Sequence, residues 1–277
     1  MVALPWQPLG AYPIMSLEPP SPIDLAPNNP YSLVLPCAVI PAPGCAAREF
    51  AGGGLGAFVT RTVTLHTRRG PAPRFAGVPA GLVITELPSV SMRTLLKEES
   101  RQWERSTLPV LVSLQGETFE LEEMAATLEN VESVSGLLIE AEDDIVAATT
   151  AVRRATPRPI VALLQHGPDI AARAVRTVAA GADALVVAAP VRAAGGPDAL
   201  AGYLLGPAAF PLTLQALLDV RSVVEAPIIA FGGIASVEFA LTALGAGATA
   251  LMIDAARWGQ PFVAARIAQG LPVVAPA

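Results

Sequence analysis

Lysine is nearly missing from this chain: Lys97 is the only one in 277 residues, and the other basic side chains are all arginine. Chemistry that needs a compact amine therefore has one candidate, because a guanidinium stays charged and donates from a planar fork. Cysteine is almost as scarce. Cys37 and Cys45 are too few for a disulfide framework or a thiolate metal site, so no metal and a reducing, cytoplasmic setting are expected. Aromatics make up 5% of residues and the net charge is −6. With only Arg68, Arg69 and Arg74 clustered, that composition excludes a basic nucleic-acid face. Every apolar run is broken by Arg, Asp, Gly or Pro before it reaches the length of a membrane span. The opening residues lack a basic start followed by an apolar block, so no secretory leader is expected.

What the chain has in quantity is small apolar side chains, within a hydrophobic fraction of 52%. Residues 1–30 hold eight prolines and little periodicity, and read as a Pro-rich N-terminal arm. From residue 31 to residue 277 a strand–helix rhythm takes over. Candidate strands cover 32–35, 57–61, 110–114, 136–140, 160–164, 184–188, 228–231 and 250–253. Helical patterns cover 89–103, 119–131, 143–155, 169–180, 208–224, 236–244 and 261–269. Pro109, Pro159 and Pro227 each stand just ahead of a strand, where no ladder donor is needed. Gly181 and Gly247 each close a helix before the next strand. Eight such units are the count of a (β/α)8 TIM barrel, with an open doubly wound sheet as the alternative.

In either fold, chemistry gathers where strands end. The stretch from Pro227 to Ser236 reads as a buried strand, a Gly232-Gly233 turn and a helix capped by Ser236, a common place to hold a phosphate. Glu140, Glu142, Asp143 and Asp144 crowd one strand end. They are either a carboxylate or Mg²⁺-binding cluster or a helix cap with solvated neighbours. His66 and His166 follow strands two and five; His166 is either a proton shuttle or a plain turn residue ahead of Pro168. If a substrate pocket exists, Arg61, His66, His166 and Glu140 are its candidate lining. Gly195-Gly196-Pro197-Asp198 reads as a flexible loop near the same rim.

Three stretches resemble the dihydroorotate dehydrogenase family. They are residues 55–65 with 68–74, the Leu205-Gly206-Pro207-Ala208-Ala209-Phe210-Pro211 segment, and the run from Ala226 through Gly232-Gly233-Ile234 to Ala248. The resemblance implies an FMN-dependent barrel oxidoreductase of pyrimidine biosynthesis, working as a dimer on a small-molecule substrate. It also implies a flavin site at Arg61, Gly232, Gly233, Ile234, Ala255 and Ala256. Several family positions differ in this chain. Arg61 replaces the strand-two lysine, and a second lysine, at strand five, falls on Ala162. The Gly81-Leu82-Val83-Ile84 segment has an aliphatic residue where the family shows asparagine, and the strand-four asparagine and the Cys or Ser base have no counterpart. Asp254-Ala255 replaces a Gly-Thr pair, with Arg257 close enough in sequence to offset the carboxylate. These differences imply that ordinary dihydroorotate oxidation is lost. Either a flavoprotein with a changed substrate remains, or a non-catalytic barrel (a pseudoenzyme) partnering another subunit, or a phosphate-binding enzyme using the strand-four carboxylates.

Overall fold

The computed structural model describes residues 22–45, 54–68, 70–79, 81–85, 89–189, 191–254 and 262–271. Most of the predicted arm, together with Arg69, Ala255, Ala256 and Arg257, lies outside the described residues.

The chain opens with two short strands, β1 (Ile23–Asp24) and β2 (Val34–Leu35), paired antiparallel. A curled parallel sheet follows. Its strands are β3 (Val39–Pro41), β4 (Phe58–Val59), β5 (Val63–Thr64), β8 (Val90–Ser91), β9 (Val110–Gly116), β10 (Gly136–Ala141), β11 (Ile160–Gln165), β12 (Ala184–Ala189), β15 (Ile228–Phe231) and β16 (Ala250–Ile253). Pairing runs β3-β16-β15-β12-β11-β10-β9-β5-β8, with β4 beside β9. The amide of Gly56 donates to the Val39 carbonyl at 2.8 Å, which links the β3 end of this path to the β4 segment. Helices α1 (Met92–Trp103), α2 (Thr118–Leu128), α3 (Ile145–Ala155), α4 (Ile170–Ala179), α5 (Phe210–Arg221), α6 (Val237–Gly245) and α7 (Val263–Gly270) cover the outside. The architecture is an α/β fold of TIM-like form.

Period-two alternation divides the strand residues between two cores. Leu138, Val161, Leu163, Val186, Ile229 and Met252 pack together inside the curl. Their neighbours Leu137, Ile139, Ile160, Ala162, Leu185 and Leu251 pack outward with helix residues such as Leu121, Met124, Val152 and Leu217. Both faces are apolar, which is why these strands read as unbroken hydrophobic runs in the sequence.

Two features depart from the sequence reading. The first barrel strand is not at 32–35: the strand that pairs with β16 is β3, while β2 turns away to pair with β1. Leu25, Leu33 and Leu35 are fully buried against the inward core. At about 1.5–3 kcal/mol per buried leucine, closing that end of the curl outweighs extending the sheet. Asn29 anchors this segment, donating to Asp183 and to the Pro157 carbonyl beside the starts of β12 and β11. The second departure is a separate antiparallel sheet, ordered β13-β14-β7-β6. It consists of β6 (Phe75–Val78), β7 (Gly81–Ile84), β13 (Val191–Gly195) and β14 (Leu200–Leu205). The Gly195–Asp198 stretch expected as a flexible loop is the turn of its β13–β14 hairpin.

Candidate functional site

Between the strand ends and this second sheet lies a cavity of ≈ 820 Å³. Its floor is built two residues at a time: Ser113 and Gln115 from β9, Leu138 and Glu140 from β10, Leu163 and Gln165 from β11. Each pair stands at i, i+2 on the inward face of its strand, so continuing the inward register past the core leads into the cavity. Arg61 and Thr62 enter from the gap between β4 and β5, and Phe231 closes the floor at β15. Ile84, Arg192, Tyr203 and Leu205 line it from the roof sheet.

Hydroxyl groups stitch the floor together. The Ser113 amide donates to Thr60 Oγ1 at 3.0 Å, and the Thr62 and Ser113 hydroxyls meet at 3.0 Å. Thr64 and Ser89 join at 2.7 Å, tying β5 to the segment ahead of α1. The charges are mostly paired. Arg61 contacts Glu98 and reaches Glu99 at 3.1 Å, both on α1. Burial pushes the Glu99 carboxyl above its ordinary range, although the neighbouring Arg61 pulls it back. Arg68 pairs with Glu142 and with Glu120, and the hydrogen bond to Glu142 pushes its own value further up. Glu140 accepts a long 3.5 Å contact from the Gln165 amide.

The structure brings together only some of the residues singled out from sequence. Arg61 and Glu140 line the cavity. His66 and His166 do not; both are exposed outside its lining. His166 comes one residue after inward-facing Gln165, and alternation turns it away. His66 sits where the chain bends out of β5, its carbonyl accepting the Thr64 hydroxyl at 2.6 Å. Ala162, the strand-five position taken from the family resemblance, packs outward among the helices, whereas its neighbour Leu163 lines the cavity. Ile84, from the Gly81–Ile84 segment, also lines it. Gln115 and Gln165, at the strand ends where chemistry is expected, line the cavity; Leu163 and Ser113, missed from sequence, were legible in principle from the inward register of each strand.

The strand-four carboxylates have structural occupations. Asp144 caps α3, accepting from the Val146 amide at 2.8 Å and the Ala147 amide at 3.3 Å. Asp143 accepts from the Thr118 amide at 3.1 Å, and Glu142 holds Arg68. Cys37 and Cys45 are buried thiols on either side of β3, and desolvation pushes Cys37 up. Neither thiol lines the cavity.

Behind Phe231 the Gly232-Gly233 turn adopts positive φ, 121° and 71°. A Cβ on Gly233 would lie 2.5 Å from the Phe210 amide nitrogen, so the turn presses directly on the start of α5. Thr213 of α5 donates its hydroxyl to the Gly232 carbonyl at 3.0 Å. Phe210 and Phe239 stack at 4.4 Å, locking α5 to the first turn of α6, which Ser236 caps at 3.2 Å. A flavin phosphate, the group that the resemblance implies, fits this donor set of backbone amides at a helix N-terminus. Buried Asp254, at the end of the neighbouring β16, and Glu238, in the first turn of α6, are groups of the wrong sign there.

Comparison with known proteins follows the same line. The family model for dihydroorotate dehydrogenase matches residues 169–274. The chain is 32% identical over 245 residues to the dihydroorotate dehydrogenase B (NAD(+)) catalytic subunit of Desulforudis audaxviator (strain MP104C), covering 79% of this chain and 80% of that one. The protein of the same description from Pelobacter propionicus (strain DSM 2379 / NBRC 103807 / OttBd1) is 32% identical over 81% of this chain and 84% of its own. That from Geobacillus kaustophilus (strain HTA426) is 30% identical over 85% and 86%.

Proposed function

This chain belongs to the dihydroorotate dehydrogenase family, and from that premise we propose that it is an FMN-dependent oxidoreductase of a small planar substrate. The observation that carries the reading is the ≈ 820 Å³ cavity at the strand ends, with the Gly232-Gly233 turn directly behind its floor. We read the curled sheet as a closed (β/α)8 barrel over residues 31–277 with an N-terminal arm before it, and the Gly56–Val39 bond supports closure.

The phosphate would be held by Gly232, Gly233 and Ile234 at the start of α6, with Arg61 at the ring end. When bound, FMN supplies a two-electron acceptor. Among the described residues Glu140 is the only carboxylate lining the cavity, and it would take the substrate proton. No lysine lines the cavity, so the amine contact that the family resemblance implies is absent. The relatives' names, catalytic subunits, support a partner subunit or a second copy for this chain as well. Two buried thiols suit a reducing cytoplasm. Among the described residues no helix is long and apolar enough to cross a membrane.

The test is the absorption spectrum of freshly purified protein. Flavin bands, or stoichiometric uptake of added FMN, support the proposal. A colourless protein that takes up no FMN rejects it. A colourless protein co-purifying with another chain would favour the non-catalytic partner instead.

A further inference from the structure

Four arginines line the cavity: Arg61, Arg68, Arg74 and Arg192. Three are matched by acids. Arg61 faces Glu98 and Glu99, Arg68 faces Glu120 and Glu142, and Arg74 lies 3.7 Å from Asp198. Arg192 has no carboxylate partner among the described residues; its guanidinium lies 5.5 Å from the centre of the Tyr203 ring. An aromatic face holds a cation in place without neutralising it. Arg192 and Tyr203 are direct cross-strand partners, and Tyr203 is in turn paired with Ile84, so this cation rides on a hydrogen-bonded sheet. The floor opposite carries Glu140 and apolar Leu163 and no lysine.

We infer that the charge of the ligand is read from the roof: Arg192 is the specificity-determining residue for a small planar carboxylate, whose two oxygens suit a guanidinium fork. This rests on the cavity being the ligand site of the proposed flavoprotein, and it moves anion recognition away from the strand ends.

The experiment measures binding of orotate and of uracil, which lacks the carboxylate, to the full-length protein after incubation with FMN, by thermal shift and calorimetry. The native protein is expected to prefer orotate on the order of tenfold or more. Arg192→Gln should bring the two affinities together, Arg192→Lys should keep part of the preference, and Arg176→Gln, an exposed arginine of α4 outside the cavity lining, should keep all of it. Absence of orotate binding, equal affinities in the native protein, or an undiminished preference in Arg192→Gln would overturn the inference. The flavin spectrum recorded before ligand is added reports separately on the flavoprotein reading, and the orotate-to-uracil ratio can be measured whether or not flavin is bound.

Discussion

Arg61 Nε lies 3.1 Å from Glu99 Oε1, close enough for an ion pair but too poorly angled for a hydrogen bond. The cavity-lining arginine is thereby drawn toward α1, and Glu99 is held partly buried with its carboxyl above the ordinary range. A raised value means that the folded protein binds the proton more tightly than the unfolded chain. The resulting stability is fully present below the ordinary glutamate value and is lost as pH rises through the raised one. Glu99→Gln removes that slope. Melting curves between about pH 4 and 8 should show the native protein losing ground to the variant as pH climbs through this window. Parallel curves for the two proteins would refute the assignment.

Gly233→Ala should destabilise the fold and loosen any flavin bound there. The added methyl meets the Phe210 amide nitrogen at 2.5 Å, and the residue would have to keep a φ of 71°. Left-handed backbone in a non-glycine residue costs about 1–3 kcal/mol by itself, and the clash adds to it. Chemical denaturation should show a loss of at least that size. By comparison, alanine at Gly245, where nothing lies within 4 Å, should be tolerated.

Asp144→Ala should cost about 1 kcal/mol, the usual penalty for removing an N-cap that accepts two amides. Asp143 acts through pH. Burial pushes its carboxyl up, but amide donors, Thr118 first, outweigh burial and hold it below the usual carboxylate range. Its contribution is therefore present above the ordinary aspartate value and lost as pH falls through the lowered one. Asp143→Asn should lower stability at neutral pH and converge with the native protein at acid pH, flattening the acid limb of the unfolding profile, as acid titration followed by circular dichroism would reveal.

Where structure is set locally, the sequence was readable. The apolar runs at 110–114, 136–140 and 160–164 lie within β9, β10 and β11, and Ser236 and Asp144 cap the helices expected of them. The roof sheet was not readable, because its pairing joins Leu204 to Val83 across the length of the chain and its short strands carry no local signal strong enough to override a loop reading. The displacement of strand one has a similar cause: Val34–Leu35 has good strand composition, but burial of Leu25, Leu33 and Leu35 decides its place. At the site, the alternation that makes both strand faces apolar hid which face looks inward. For that reason Leu163 was passed over while exposed His166 was singled out.

Asp254 provides the sharpest check on the phosphate cradle. It is 2% exposed at the end of β16, whose residues Leu251 and Met252 stand in register with Ala230 and Phe231 of β15. Two more steps along the two strands bring Asp254 level with Gly233 of the turn. A charge of that sign beside a phosphate opposes binding by on the order of 1 kcal/mol or more at intermediate dielectric. Asp254→Asn keeps the side-chain shape and removes the charge, so FMN affinity should rise by roughly tenfold, about 1.4 kcal/mol. Fluorescence quenching of FMN on titration with each protein measures this directly. Unchanged or weaker affinity in the variant would mean that the phosphate sits elsewhere, and that the Gly-Gly turn serves only to pack β15 against α5.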